Sequence, residues 1–301
     1  MFKKILSIAL SLTLLLSGMA FAPSAKAYTN SNWMGSISDN TCLTQISIPG
    51  THDSGARKEP VYGTAKCQNL SIGDQLNAGV RYLDIRCRHI DNAFTIHHGV
   101  VYQDLNFDNV LNACTSFLNA NPTETIIMSV KEEHNAENVT RSFEDTFRSY
   151  VDRDPNRWYL GNTIPNLGQV RGKIVLLRRF ASSIGGIDAF MWADNTIFTN
   201  TDSGSNIKIQ DHYKVGNNNN KWNEISAMYN EANNADPSWL FINYTSGYRS
   251  ILGIPSITTV SNNINPKLKT FFQNNTHGKY GITAMDFANN EICSLIIATN
   301  F

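Results

Sequence analysis

The chain has 301 residues, 25 Lys and Arg against 25 Asp and Glu, and 42% hydrophobic side chains. It is too apolar to stay disordered. It lacks the positive excess that a nucleic-acid surface needs, so no nucleic-acid partner is expected.

The N-terminus reads MFKKILSIALSLTLLLSGMAFAPSAKA. Lys3 and Lys4 precede an apolar run from Ile5 to Leu16, and Ala25-Lys26-Ala27 forms a small-x-small cleavage site. That order predicts a secretory signal over 1–27. The run is short for a membrane span of about 20 residues. The expected product, residues 28–301, is secreted and extracellular, and losing three lysines leaves it slightly acidic. Five cysteines, Cys42, Cys67, Cys87, Cys114 and Cys293, match no zinc spacing. Export permits disulfides, and a Cys42–Cys67 bridge would close a loop around the first motif.

Short β-rich runs bounded by Gly, Pro or Asn recur along the rest. Gln45–Pro49 stops at Pro49-Gly50 and hands over to His52 and Asp53. Arg81–Arg86 continues to Arg88, and Asp84, Arg86 and Arg88 alternate onto one face. Phe94–His97 ends at His97 and His98, Thr125–Val130 at Lys131, and Lys173–Leu177 at Arg178 and Arg179. Ile207–Gln210 leads to Asp211 and Tyr213, Leu240–Asn243 to Tyr244 and Ser246, and Gly281–Met285 to Asp286. Helical patterns intervene at 70–78, 110–120, 138–151, 223–232, 266–273 and 292–298. Strands alternating with helices predict an α/β fold with a parallel sheet, and eight strands predict a TIM-type (β/α)8 barrel.

The barrel is expected to be distorted. Only residues 89–92 separate the second and third runs, whereas a parallel crossover takes a dozen or more residues. The stretch 181–206 has no helical period. Both point to missing helices within a single domain, and residues 216–220 (GNNNN) read as an exposed loop.

Barrel active sites sit at the C-terminal ends of the strands. One polar residue there means little, but every run ends in one. Two histidines can divide base and acid work near neutral pH. Asp53, Asp84 and Asp286 are candidates to fix their tautomers, and Arg86 offers a planar fork to phosphate. That set suits phosphodiester transfer through an internal hydroxyl and needs no metal. His97 and His98 point to opposite sides and do not chelate together. His89, His134, His212 and His277 read as surface or loop histidines. Cys87, between Arg86 and Arg88, is expected to be buried behind the wall.

The segments ISIPGTHDSGA, RYLDIRCR, TIHHG, NPTETIIMSVKEE, RGKIVLLRR and IQDHYKV resemble the secreted bacterial phosphatidylinositol-specific phospholipases C of the metal-independent type. The resemblance runs from about Trp33 to Asp286. It implies a distorted barrel that cleaves phosphatidylinositol to diacylglycerol and inositol 1,2-cyclic phosphate, and that can also act on glycosylphosphatidylinositol anchors. By the same resemblance, His52 is the base, oriented by Asp286, and His98 is the acid, partnered by Asp53. Arg86, beside Asp84, binds phosphate. Lys131, Arg179, Asp211 and Tyr213 hold the inositol, with Tyr213 stacked on it. Metal-dependent relatives place a carboxylate where this chain has Arg86, so no cofactor or metal is expected.

Two departures bear on the membrane. Val100 follows HHG where those relatives commonly carry proline, and their rim tryptophans are absent here. The matching stretches 59–63 and 246–256 supply Tyr62, Tyr248, Ile251, Leu252 and Ile254 for peripheral contact with a membrane surface. The chain is expected to act as a monomer. The competing readings are a metal-dependent glycerophosphodiester phosphodiesterase and an inactive inositol-lipid-binding module. Arg86 argues against the first, and the presence of both histidines against the second.

Overall fold

The computed structural model describes residues 28–201 and 204–301. The export signal read at 1–27 lies outside the described residues. In chain order the strands are β1 Ile48–Thr51, β2 Tyr82–Ile90, β3 Ala93–His98, β4 Val101–Asn106, β5 Ile126–Glu137, β6 Trp158–Tyr159, β7 Ile174–Arg178, β8 Ile187–Asp188, β9 Ile197–Asn200, β10 Asn206–Gln210, β11 Trp239–Tyr244, β12 Arg249–Ile251, β13 Ile254–Ser256 and β14 Ile282–Met285. The helices are α1 Ile72–Asn77, α2 Phe107–Ala120, α3 Phe143–Val151, α4 Leu167–Val170, α5 Asn218–Asn234, α6 Ile257–Asn274 and α7 Asn290–Ala298.

The barrel wall follows the order β6-β7-β5-β2-β1-β14-β11-β10-β9. Every neighbouring pair is parallel except β9 with β10. Among the described residues no ladder joins the β6 end to the β9 end, so the wall carries a seam. The single-domain, distorted α/β barrel is therefore present, with one correction. The third predicted strand does not stand in the parallel wall. It is β3, antiparallel to β2, and β4 folds back on it in turn. The reason is local. Asp91 and Asn92 both take positive φ, 50° and 59°, the geometry of a two-residue hairpin turn. Two residues cannot carry a parallel crossover. The place between β2 and β5 is closed by their direct parallel pairing, and the two-residue strands β6 and β8 lie parallel beside β7.

The pleat sorts the wall into two faces. Along β2, Leu83, Ile85 and Cys87 pack outward with Phe107 and Val110 of α2, so Cys87 is buried as expected. Tyr82 joins the interior cluster, with Ile48, Val175, Ile209, Ile242 and Ile282 from around the wall. At the N-terminal floor, Arg81 and Glu124 form a fully buried ion pair at 2.8 Å.

The two longest helices begin well before the stretches their periodicity suggests. α5 starts at Asn218, because the Asn217 side chain accepts from the Asn219 and Asn220 amides; most of the expected loop at 216–220 is thus helix N-terminus. α6 starts at Ile257 and carries Pro266 inside it. All five cysteines are free, so the Cys42–Cys67 bridge does not form.

Candidate active site

The first turn after β1 is clamped from several directions. Thr51 Oγ1 and Ser54 Oγ lie 2.7 Å apart, and Ser54 Oγ accepts from the Asp84 amide at 2.8 Å. Asp53 sits at φ 37°, and its own amide donates to Asp84 Oδ2 at 3.1 Å. A short polar turn thus fixes two consecutive side chains, His52 and Asp53, against two different strands.

Strand register then supplies the partners. Thr51 lies opposite Met285 on β14, which brings His52 beside Asp286. His52 Nδ1 and Asp286 Oδ1 are 2.8 Å apart. Asp286 Oδ2 also accepts from the Gly247 amide, so the carboxylate is held from two sides. With Nδ1–H donated to Asp286, a neutral His52 keeps Nε2 as its free basic atom.

On β2, Arg86 donates through Nε and Nη2 to Asp84 Oδ2, at 3.2 and 3.1 Å. Its Nη1 lies 3.5 Å from Glu133 Oε1, and its Nε 3.8 Å from Asp53 Oδ2. Burial alone would raise the Asp84 carboxyl, but Arg86 and Arg179 outweigh it and hold Asp84 well below the usual carboxylate range. Asp53 behaves oppositely. It is fully buried, neither carboxyl oxygen has a hydrogen-bond partner, and burial pushes it up to about 8 despite Arg86.

His98, at the end of β3, donates through Nδ1 to the Ala65 carbonyl at 2.6 Å. That carbonyl, rather than Asp53, orients the ring. Asp53 is nonetheless close, with a ligating oxygen within 4.8 Å of a His98 ring nitrogen. Burial, then Arg86, lowers the His98 pKa.

A cavity of about 570 Å³ opens over these groups, lined by His52, Arg86, His98, Lys131, Arg179, Asp211 and Tyr213. Asp53, Asp84 and Asp286 lie buried beneath it. Arg86 and Lys131 are register partners on β2 and β5. The Arg179 guanidinium stacks 3.6 Å from the Trp192 ring centroid and stands 3.5 Å from Asp84. Asp211 Oδ2 accepts from Trp192 Nε1 at 2.9 Å, and the Tyr213 hydroxyl donates to Asp194 at 2.8 Å.

Glu133, Trp192 and Asp194 also line the cavity and stand outside the residues that the sequence nominates. Glu133 bonds Lys131 at 2.8 Å and accepts from the Gly99 amide at 3.0 Å. Burial opposes its charge, yet Arg86 and Lys131 bring it down to about 2. Its signal was available, since it lies two residues beyond Lys131 on one strand face.

Other expectations need correction. His89 is buried, not superficial; Nε2 meets Thr146 Oγ1 at 2.8 Å and the ring packs against Phe94. Arg178 leaves the rim to bond the Gly185 and Phe180 carbonyls. Tyr244 turns into the barrel, its hydroxyl 2.8 Å from that of Tyr82. Tyr248 lines the cavity and is half-buried rather than standing on an outer rim. Tyr62, Ile251 and Ile254 are exposed, and Leu252, at the tip between β12 and β13, is 99% exposed.

Comparison with known proteins places this geometry in context. A family model described as phosphatidylinositol-specific phospholipase C, X domain, matches residues 40–180. A Staphylococcus aureus 1-phosphatidylinositol phosphodiesterase is 33% identical over 304 residues, covering 93% of this chain and 97% of that one. A Listeria monocytogenes 1-phosphatidylinositol phosphodiesterase is 33% identical over 293 residues, covering 92% and 87%. The solved structure of a double mutant of the S. aureus phosphatidylinositol-specific phospholipase C superposes with TM-score 0.84 at 31% identity, over 91% of this chain and 97% of that one. The L. monocytogenes enzyme superposes with TM-score 0.76 at 30% identity, over 91% and 100%.

Proposed function

The chain belongs to the bacterial phosphatidylinositol-specific phospholipase C family and is a phosphatidylinositol phosphodiesterase, and on that premise we propose how its residues divide the reaction. His52 Nε2 takes the proton of the inositol 2-hydroxyl, while Asp286 steadies the imidazolium that forms. The 2-oxygen then attacks phosphorus, and the bond from phosphorus to the diacylglycerol oxygen breaks. His98 gives that oxygen its proton, with Asp53 close by as a buried, proton-retaining carboxyl. Arg86 neutralises the phosphate with its planar fork, and Asp84 holds the fork in place. The products are diacylglycerol and inositol 1,2-cyclic phosphate. Lys131, Arg179 and Asp211 take inositol hydroxyls, and Tyr213 lies against the ring.

The observation that carries this reading is that His52, Arg86 and His98 line one cavity, each braced by a separate partner. The mature chain works outside the cell. Tyr62, Ile251 and Leu252 dip into the lipid interface, and glycosylphosphatidylinositol anchors are a second class of substrate. Among the described residues no helix is long and apolar enough to cross a membrane.

Phosphorus NMR of the purified protein with phosphatidylinositol micelles in excess EDTA tests the scheme. Inositol 1,2-cyclic phosphate should accumulate. Silence that added calcium reverses would contradict the role given to Arg86.

A further inference from the structure

Cys67 has no part in the reaction above, yet it lies between the two histidine centres. Its sulfur forms one set of mutually close ligand atoms with His52 and Asp286, and a second with Asp53 and His98, each within 4.8 Å. The thiol also shares an acceptor with His98. Sγ stands 3.8 Å from the Ala65 carbonyl that accepts the hydrogen bond from His98 Nδ1.

The position is built rather than incidental. The Cys67 amide donates to the Ala56 carbonyl at 2.8 Å, and its carbonyl accepts from the Phe287 amide at 2.7 Å. The next residue, Gln68, donates to the carbonyls of His52 and Met285, both at 2.8 Å. The loop that carries the thiol is therefore stitched to the turn that carries the base and to the strand that leads to Asp286. Asp53 belongs to the second of these sets. It is wholly buried within reach of this sulfur, and both its oxygens lack a hydrogen-bond partner. Buried polar atoms without partners are uncommon and call for an occupant.

We propose that Cys67, His52 and Asp286 form an inhibitory site for a thiophilic divalent cation, typified by Zn2+. A sulfur, an imidazole nitrogen and a carboxylate oxygen suit zinc, which is held by N, S and O donors in fours and leaves the fourth place to water or a further ligand. A hard cation such as calcium takes six to eight oxygens and is poorly served by this set. On binding, the thiol proton is released to water and the sulfur ligates as thiolate. Whichever ring nitrogen of His52 ligates, the other carries the imidazole proton, so the side chain is no longer free to accept one. The binding claim is independent of the catalytic scheme; the loss of turnover rests on His52 being the base.

The test uses the purified mature protein, its Cys67→Ala and Cys67→Ser variants, Zn2+ titration by calorimetry and Co2+ titration by absorption. Wild type should bind one equivalent, show a thiolate-to-cobalt charge-transfer band, and lose turnover that EDTA restores. Both variants should keep metal-free turnover, lack the band and resist zinc. Their zinc binding should be at least about 100-fold weaker, beyond what the loss of an outer partner alone costs. Absence of the band in wild type, or equal zinc inhibition of either variant, overturns the site, and the wild-type spectrum decides even if a variant fails to fold. A band with unchanged turnover overturns the inhibitory claim and separately contradicts His52 as base.

Discussion

The two ends of the barrel bury charge in opposite ways. At the floor, Arg81 and Glu124 meet with no exposed surface. Arg81 donates to Glu124 and to the carbonyls of Leu76, Val80, Asn30 and Ser31. Glu124 also accepts from the Met34 and Gly35 amides. Neither side chain has an unpartnered buried atom. At the mouth, both oxygens of Asp53, one oxygen of Asp84, and Nε and Nη1 of Arg179 are buried without hydrogen bonds. One end spends its charges on structure. The other holds them in reserve, with directions open toward the cavity. A buried ionisable group whose partners are complete is structural, whereas one left incomplete at a strand C-terminus marks where a ligand completes it.

Making the same chemical change at both ends is the sharpest way to break this contrast. Glu124→Gln leaves Arg81 buried without its anion, and should cost about 3–5 kcal/mol of stability, read by urea unfolding. Asp53→Asn should leave stability at pH 7 equal or higher, while turnover falls. Equal destabilisation by the two changes would erase the distinction.

Arg86→Lys comes next. It keeps the charge and loses the fork, so turnover should fall about 100-fold, the cost of one preorganised donor in a site of this kind, while the unfolding midpoint stays near wild type.

The pH dependence of stability sharpens the same point. Asp53 titrates higher in the folded chain, near 8, than its ordinary 3.8, so the native state binds its proton more tightly. The stability from that proton is fully present below 3.8 and is lost as pH rises toward 8. Asp84 is held low, and its contribution is lost instead as pH falls below its ordinary value. Asp53→Asn should therefore flatten the decline in melting temperature between about pH 4 and 8. An unchanged slope would show that Asp53 is not the group responsible. Smallest of all, Tyr213→Ala should raise KM for soluble inositol substrates by a few-fold to about tenfold, as expected for one aromatic contact, with kcat little changed.

What could be read in the sequence follows from where the signal was local. The alternation of Asp84, Arg86 and Arg88 is a strand property, so their common face was legible at once. Glu133 obeys the same rule two residues past Lys131, but β-rich composition stops at Val130 while β5 runs on to Glu137. The hairpin at Asp91-Asn92 was half visible, since the spacing excluded a parallel crossover without revealing that both residues tolerate positive φ. Trp192 and Asp194 were not legible. They sit in a stretch with no periodicity, and only the tertiary fold brings them to Asp211 and Tyr213. The Ala65 carbonyl was equally hidden, because a backbone acceptor leaves no trace in residue identity. That is why Asp53, rather than Ala65, was expected to orient His98.

The central claim is that His52 and His98 divide base and acid work at the mouth, and leaving-group dependence tests it most directly. Turnover would be measured for wild type, His52→Ala and His98→Ala on phosphatidylinositol and on an inositol phosphodiester with a nitrophenol leaving group, which departs without a proton. His98→Ala should lose about 10²–10⁴-fold on the lipid, the range for general acid catalysis, and recover most of that loss on the activated ester. His52→Ala should lose about equally on both. Equal losses for His98→Ala on the two substrates would contradict its assignment as the acid.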